Sequence, residues 1–140
     1  MAAVALALPG CGAIAPFASP TPVPDEGGMG LPQQLPGESY GGPRRDLAGT
    51  LTVAGNGCVY LDDAGTERLV IFPSGSALSN PARLPDGTEL RDGDAVRGSG
   101  TVLGTEMLPG GPNGYWANVT GYCAGDVREA VVFDQISADR

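Results

Sequence analysis

The stretch from Leu90 to Leu103 constrains the fold of this chain more than any other part of the sequence. Near its start it contains a turn-forming pair, Asp92-Gly93, and from there it continues as an alternating run typical of a strand. Alternation places four residues on one face of that strand: Val96, Gly98, Gly100 and Val102. Glycines on the inward row are unfavourable in a flat sheet but suit a strand that bends sharply. The stretch therefore predicts a strongly curved strand of a small barrel.

The rest of the chain after residue 45 consists of short apolar or alternating runs separated by Gly, Pro and Asn turns. Leu69–Phe72 is apolar at every position, which indicates a strand covered on both faces. Further strands are expected at Leu47–Val53, Cys58–Asp62, Glu67–Phe72, Tyr115–Tyr122 and Glu129–Ile136, with at most a short helical turn near Ser76–Leu78. These patterns predict an all-β domain built as a small barrel of five to six short strands, closed or partly open. A two-layer β-sandwich is the alternative.

Three consecutive strands, an irregular crossing and a Leu-x-x-Gly-Asp-x-Val-x-Gly-x-Gly-x-Val run resemble an oligonucleotide/oligosaccharide-binding (OB) barrel. The matching residues are Leu90, Gly93, Asp94, Val96, Gly98, Gly100 and Val102. The resemblance spans residues 47–136 and implies an OB-like fold for that part of the chain. It does not imply which ligand the barrel takes.

Residues 12–45 differ in composition from the rest, since 14 of these 34 positions are Pro or Gly. Their apolar residues follow no period, which predicts a disordered linker. The expected organisation is a signal segment at residues 1–11, a linker at 12–45 and the barrel domain at 46–140.

The first residues resemble a bacterial lipoprotein signal. Leu8, Gly10 and Cys11 match its pattern of an apolar residue, a small residue and then the lipidated cysteine, after the apolar run from Val4 to Leu8. No basic residue precedes that run, and Pro9 departs from the pattern. In that family, the cysteine carries the lipid. The resemblance therefore implies lipidation at Cys11 and a location at the extracytoplasmic face of the cell membrane.

Cys58 and Cys123 form an even pair in a chain that is expected to be exported. Export favours a disulfide between them. Neither cysteine has a His or a second Cys nearby, as a zinc site would require, and the sequence contains no His at all. We therefore expect a structural bridge, which would tie the first hairpin to a strand near the end of the chain.

The charge of the chain bears on its partners. With 16 acidic and 8 basic residues, the net charge is −8, which argues against nucleic acid because binding to its backbone requires neutralised phosphates. All basic residues are Arg, and together with abundant Gly, Ala and Pro this resembles the composition of proteins from high-GC, actinobacterial-like bacteria.

Acidic clusters occur at Asp62-Asp63, Asp86 and Asp92-Gly93-Asp94. Asp-Gly pairs are above all turn formers, and the spaced oxygen ligands of a calcium loop are missing, so no metal or cofactor is expected. No Ser-His-Asp triad can form without His, and nothing in the spacing singles out a pair of catalytic carboxylates. We therefore expect no catalytic residues.

The predicted strand Tyr115–Tyr122 would place aromatic and polar side chains on one face: Trp116, Asn118, Thr120 and Tyr122. Such a strip could bind a sugar or a peptide, since it offers flat apolar area and hydrogen-bonding groups. The competing interpretation, which we favour, is that Trp116 and Tyr122 are core residues or pack against the linker.

Taken together, these features predict a lipid-anchored lipoprotein whose barrel binds an envelope protein or glycan without catalysis. The alternative is a cell-wall hydrolase that uses the acidic turns.

Overall fold

The computed structural model describes residues 31–139, which include the whole predicted barrel domain except Arg140. Its strands and single α-helix are β1 (Arg45–Val53), β2 (Val59–Asp63), β3 (Thr66–Ile71), β4 (Ala77–Leu78), β5 (Ala82–Arg83), β6 (Glu89–Leu90), β7 (Ala95–Gly104), α1 (Tyr115–Cys123) and β8 (Glu129–Ala138). Two 3-10 turns, Thr105–Met107 and Gly111–Asn113, lie between β7 and α1. The predicted signal segment, with Cys11, lies outside the described residues.

Five strands form a closed barrel in the order β1-β2-β3-β8-β7, and β7 returns to pair with β1. All neighbours are antiparallel except β3 and β8, which run parallel through three residue pairs from Leu69–Ala130 to Ile71–Val132. The prediction of a small all-β barrel is therefore confirmed, and the sandwich alternative is wrong.

Two apolar clusters hold the barrel together, one inside it and one on its outer side. The interior cluster contains alternate residues of the long strands, among them Leu47 and Leu51 of β1, Val96 of β7 and Phe133 of β8. In the outer cluster, the residues of β3 and β8 that alternate with the interior ones pack against α1: Leu69, Ile71, Ala130 and Val132. Leu69, Val70, Ile71 and Phe72 are all fully buried, as their unbroken apolar run predicts.

The two inward glycines of β7 allow β8 to approach closely. A Cβ atom at Gly98 would overlap the carbonyl oxygen of Gln135, and one at Gly100 would overlap that of Val132. Between these two positions the register shifts by one residue, which makes Asp134 the extra residue of a bulge on β8. The bulge and the glycines together produce the sharp bend that a small closed barrel requires.

The segment between β3 and β7 forms a separate three-stranded sheet, β4-β5-β6. The short helical turn allowed for near Ser76–Leu78 does not form, because Ala77 and Leu78 pair with Arg83 and Ala82. Ala82, Leu84 and Leu90 belong to the interior cluster, so this sheet contributes to the core of the barrel.

Residues 31–44, which we call the N-terminal segment, are packed against the barrel. The backbone of Phe72 donates to the carbonyl of Pro32 and accepts from the N–H of Gln34, at 2.9 and 2.8 Å. Leu31 and Tyr40 are buried, at 7% and 5% exposure. The disorder expected for residues 12–45 is therefore wrong for residues 31–45, which are part of the folded domain. Residues 12–30 lie outside the described part of the chain.

Candidate binding groove

The residues predicted as a ligand strip lie on a helix, so the strand expected at Tyr115–Tyr122 is wrong. At 3.6 residues per turn, alternate residues point to different sides of a helix and cannot form one strip. Trp116 is 1% exposed, Asn118 and Tyr122 are exposed, and Thr120 is half-buried. The buried residues of α1 are Trp116, Val119 and Cys123, and this i, i+3, i+7 spacing was the sequence signal for the helix.

Trp116 is fixed by the N-terminal segment. Its Nε1 donates to Glu38 Oε1 at 3.0 Å, and its ring meets that of Tyr40 edge to face, with centroids 6.1 Å apart. The hydroxyl of Tyr40 donates to the same Glu38 oxygen and accepts from Leu35 N–H. Burial raises the pKa of Tyr40 above 10.0. Trp116 is therefore a core residue packed against the expected linker, which confirms the competing interpretation for this residue.

Cys58 and Cys123 form the expected disulfide. Their Cα atoms are 5.7 Å apart, within the usual range for a bridge, and the loop between them spans 65 residues. Both residues belong to the outer cluster, so the bridge joins the residue before β2 to the end of α1. The hydroxyl of Tyr60 donates to the carbonyl of Cys123 beside it.

The aspartates of the acidic turns accept hydrogen bonds from backbone N–H groups, locally at Asp86 and Asp94 and from strand β1 at Asp92. Asp86 accepts from Thr88 N–H, Asp92 from Val53 N–H and Asp94 from Arg91 N–H, all at 2.8 to 2.9 Å. The bond from Thr88 lowers the pKa of Asp86. Within residues 31–139, no group of three or more His, Cys, Asp or Glu side chains could hold a metal ion.

A groove on the surface of the barrel has a volume of about 890 Å³. It is bounded by β1, β7, the bulge region of β8, Pro73 beyond the end of β3, and the turn between β5 and β6. Its lining residues are Asp46, Leu47, Ala48, Pro73, Leu84, Pro85, Asp86, Arg97, Gly98, Ser99, Asp134, Gln135, Ile136 and Ser137. This volume is in the range of ligand sites in proteins, which are typically about 300–1,000 Å³.

The groove combines apolar and charged groups. Leu47, Leu84 and Ile136 line it from the interior cluster, where each remains at most 8% exposed. Its charged residues are three aspartates and Arg97. No residue of this groove was singled out as a site from the sequence except Asp86, because five separate parts of the chain form it only after folding.

A smaller groove of about 430 Å³ lies beside α1. Trp116 and Thr120 line it together with Glu106, Arg128 and residues of the 3-10 turns, whereas Asn118 and Tyr122 do not. The structure thus brings together two of the four predicted strip residues, and Trp116 offers almost no exposed surface there.

Comparison of the chain with family models, with curated proteins and with solved structures finds no match. Within residues 31–139, no helix is long and apolar enough to span a membrane.

Proposed function

We propose that this chain is an exported lipoprotein, anchored through Cys11, whose barrel binds a partner at the extracytoplasmic face of the membrane without catalysing a reaction. The observation that carries the binding function is the 890 Å³ groove. The interior of the barrel is filled by its own side chains, so a partner has to be bound on the outer surface, where this groove offers apolar and polar groups side by side.

The disulfide supports export. Cys58 and Cys123 are 2% and 6% exposed and are correctly spaced for a bridge. Disulfides form and persist in oxidising compartments and are rare in the cytosol. Membrane anchoring rests on the resemblance of Leu8, Gly10 and Cys11 to a lipoprotein signal.

Binding is better supported than the alternative, a cell-wall hydrolase that uses the acidic turns. A general acid needs a raised pKa, so that its carboxyl group carries a proton near neutral pH. The pKa of Asp86 is lowered instead, and the carboxylates of Asp86, Asp92 and Asp94 are already engaged by backbone N–H groups.

Site-specific photocross-linking in the envelope tests the binding function. A photoreactive residue at Ser137, in the groove, should capture a partner, whereas one at Thr52, an exposed residue of β1 outside the groove, should not. Filling the groove with Ala48→Trp should abolish the cross-link, and Thr50→Trp, on the same strand outside the groove, should leave it intact. Equal cross-linking from Ser137 and Thr52 would contradict a groove-based function.

Fractionation tests the anchor. Cys11→Ala should move the protein from the membrane fraction to the soluble fraction, whereas Gly12→Ala should leave it in the membrane. Retention of the Cys11→Ala variant in the membrane would refute lipidation at this position. Release of fragments from purified cell wall by the protein would favour the hydrolase.

A further inference from the structure

The apolar part of the groove can bury apolar side chains of a ligand. Its accessible apolar surface comes from Ala48 and Pro85, which are exposed, and from Pro73, which is half-buried. Three residues of the barrel core also line it, each at most 8% exposed: Leu47, Leu84 and Ile136. These residues come from separate elements that the closed barrel holds in place, so the surface is formed before a ligand arrives. A wholly polar ligand, such as a simple amine, would leave this apolar area uncovered.

The charged part of the groove favours a cation. Arg97, its only cationic lining residue, forms an ion pair with Asp139 at 3.1 Å. Asp134 is paired with Arg44 at 2.7 Å and Asp86 accepts from Thr88 N–H, but Asp46 forms no ion pair with any residue in the described range 31–139. The lining therefore carries a negative excess, in a chain whose net charge is −8.

From this combination we propose that the groove binds an extended, basic segment of a partner protein in which Lys or Arg residues alternate with apolar residues. Because the lining mixes apolar and acidic residues, a segment that mixes apolar and basic side chains can cover the apolar surface and pair with Asp46 and Asp86 at the same time. The acidic surface would also accelerate the approach of such a partner and repel anionic glycans and nucleic acids. This inference rests on the proposed binding function and names the chemistry of the partner.

Titration of the full 140-residue chain with short synthetic peptides tests the proposal. The peptides are an alternating Lys-Leu sequence and two versions of it in which Ser or Glu replaces every Lys, and the probe is the set of backbone amide NMR resonances. The Lys-Leu peptide should shift resonances of Ala48, Ser99 and Ser137 in the groove, and the Glu version should not bind.

Charge-neutralising variants locate the contact. Asp46→Asn with Asp86→Asn should weaken binding of the Lys-Leu peptide by about three- to tenfold, the effect expected for two exposed charge pairs. Asparagine at position 86 can still accept the bond from Thr88. The matched control, Glu67→Gln with Asp126→Asn, removes the same number of charges from exposed residues outside the groove and should weaken binding less than about twofold.

Three results would overturn the proposal. Equal weakening by the two double variants would show that only the overall charge of the protein attracts the peptide. Binding of the Ser version as tightly as the Lys version would remove the requirement for a cation. Shifts confined to residues outside the groove would remove the site. The photocross-link from Ser137 distinguishes failure of the binding function from failure of this inference. If the cross-link persists, the groove still binds a partner, and only the basic character of that partner is refuted.

Discussion

Removal of the Cys58–Cys123 disulfide should lower the stability of the barrel more than any other change of similar size. The bridge closes a loop of 65 residues, and the chain-entropy relation for such a loop gives about 4 kcal/mol at 25 °C. For a domain of about 100 residues, each kcal/mol corresponds to roughly 4 °C or more in the melting temperature. We therefore expect the melting temperature to fall by about 15–30 °C.

Thermal unfolding followed by circular dichroism provides the assay. The cleanest comparison is between oxidised and fully reduced wild-type protein, since both contain the same side chains. Because both cysteines are nearly buried, reduction should be carried out in denaturant before refolding. Cys58→Ala with Cys123→Ala should behave like the reduced protein, and Cys11→Ala serves as the control because Cys11 is not part of the bridge. A fall of less than about 5 °C would show that the bridge contributes little, because the packing of α1 would then hold the loop closed by itself.

Three further changes test other parts of the fold. Leu31→Ala should lower the free energy of unfolding by about 2–3 kcal/mol, because Leu31 is buried in the interior cluster. Leu78→Ala, at a residue that is 50% exposed, should lower it by less than about 0.5 kcal/mol. Equal losses in urea unfolding would contradict the packing of the N-terminal segment. Gly100→Ala should destabilise the protein by at least about 2 kcal/mol, because the added Cβ would overlap β8. Gly121→Ala, where the added Cβ meets open space on α1, should stabilise it by about 0.5–1 kcal/mol. A more stable Gly100→Ala variant than Gly121→Ala variant would contradict the close approach of β7 and β8. Burial raises the pKa of Tyr40, so the folded state ionises this residue less readily than the unfolded chain, and stability should fall as the pH rises above about 10. Tyr40→Phe should make that alkaline loss smaller, and an unchanged pH profile would show that Tyr40 ionises equally well in both states.

The barrel strands could be predicted from the sequence because their signals are local. Leu47–Val53 alternates, Leu69–Phe72 is apolar throughout, and Asp92-Gly93 begins a glycine-rich strand. Each pattern predicts either a face that the barrel buries or a bend in a strand. The faces and the bend that these runs predict are present in the structure.

Helix α1 and the N-terminal segment could not be predicted in the same way. Tyr, Trp, Val and Thr favour strands, and α1 is only nine residues long, so the spacing of Trp116, Val119 and Cys123 was too short a signal to outweigh them. The N-terminal segment has the Pro and Gly content of a linker, and its order comes from contacts with residues far away in the sequence, such as Glu38 with Trp116. Propensity and composition do not report such contacts.

The groove was missed for a related reason. Asp46, Asp86, Arg97 and Asp134 each occur in a different part of the chain. Only Asp86 stands out in its local sequence, and there as a turn former. They become neighbours only because β7 pairs with both β1 and β8, while the β5–β6 turn borders the same groove. The bulge that exposes Asp134 is itself a consequence of the register between β7 and β8.

The intact mass of the protein, purified from the membrane fraction of its own cells, tests export and the lipid anchor together. We expect a chain that begins at Cys11, carries a covalent lipid and is lighter by two hydrogens because Cys58 and Cys123 are joined. A chain that begins at Met1, carries no lipid and has three free thiols would contradict this expectation.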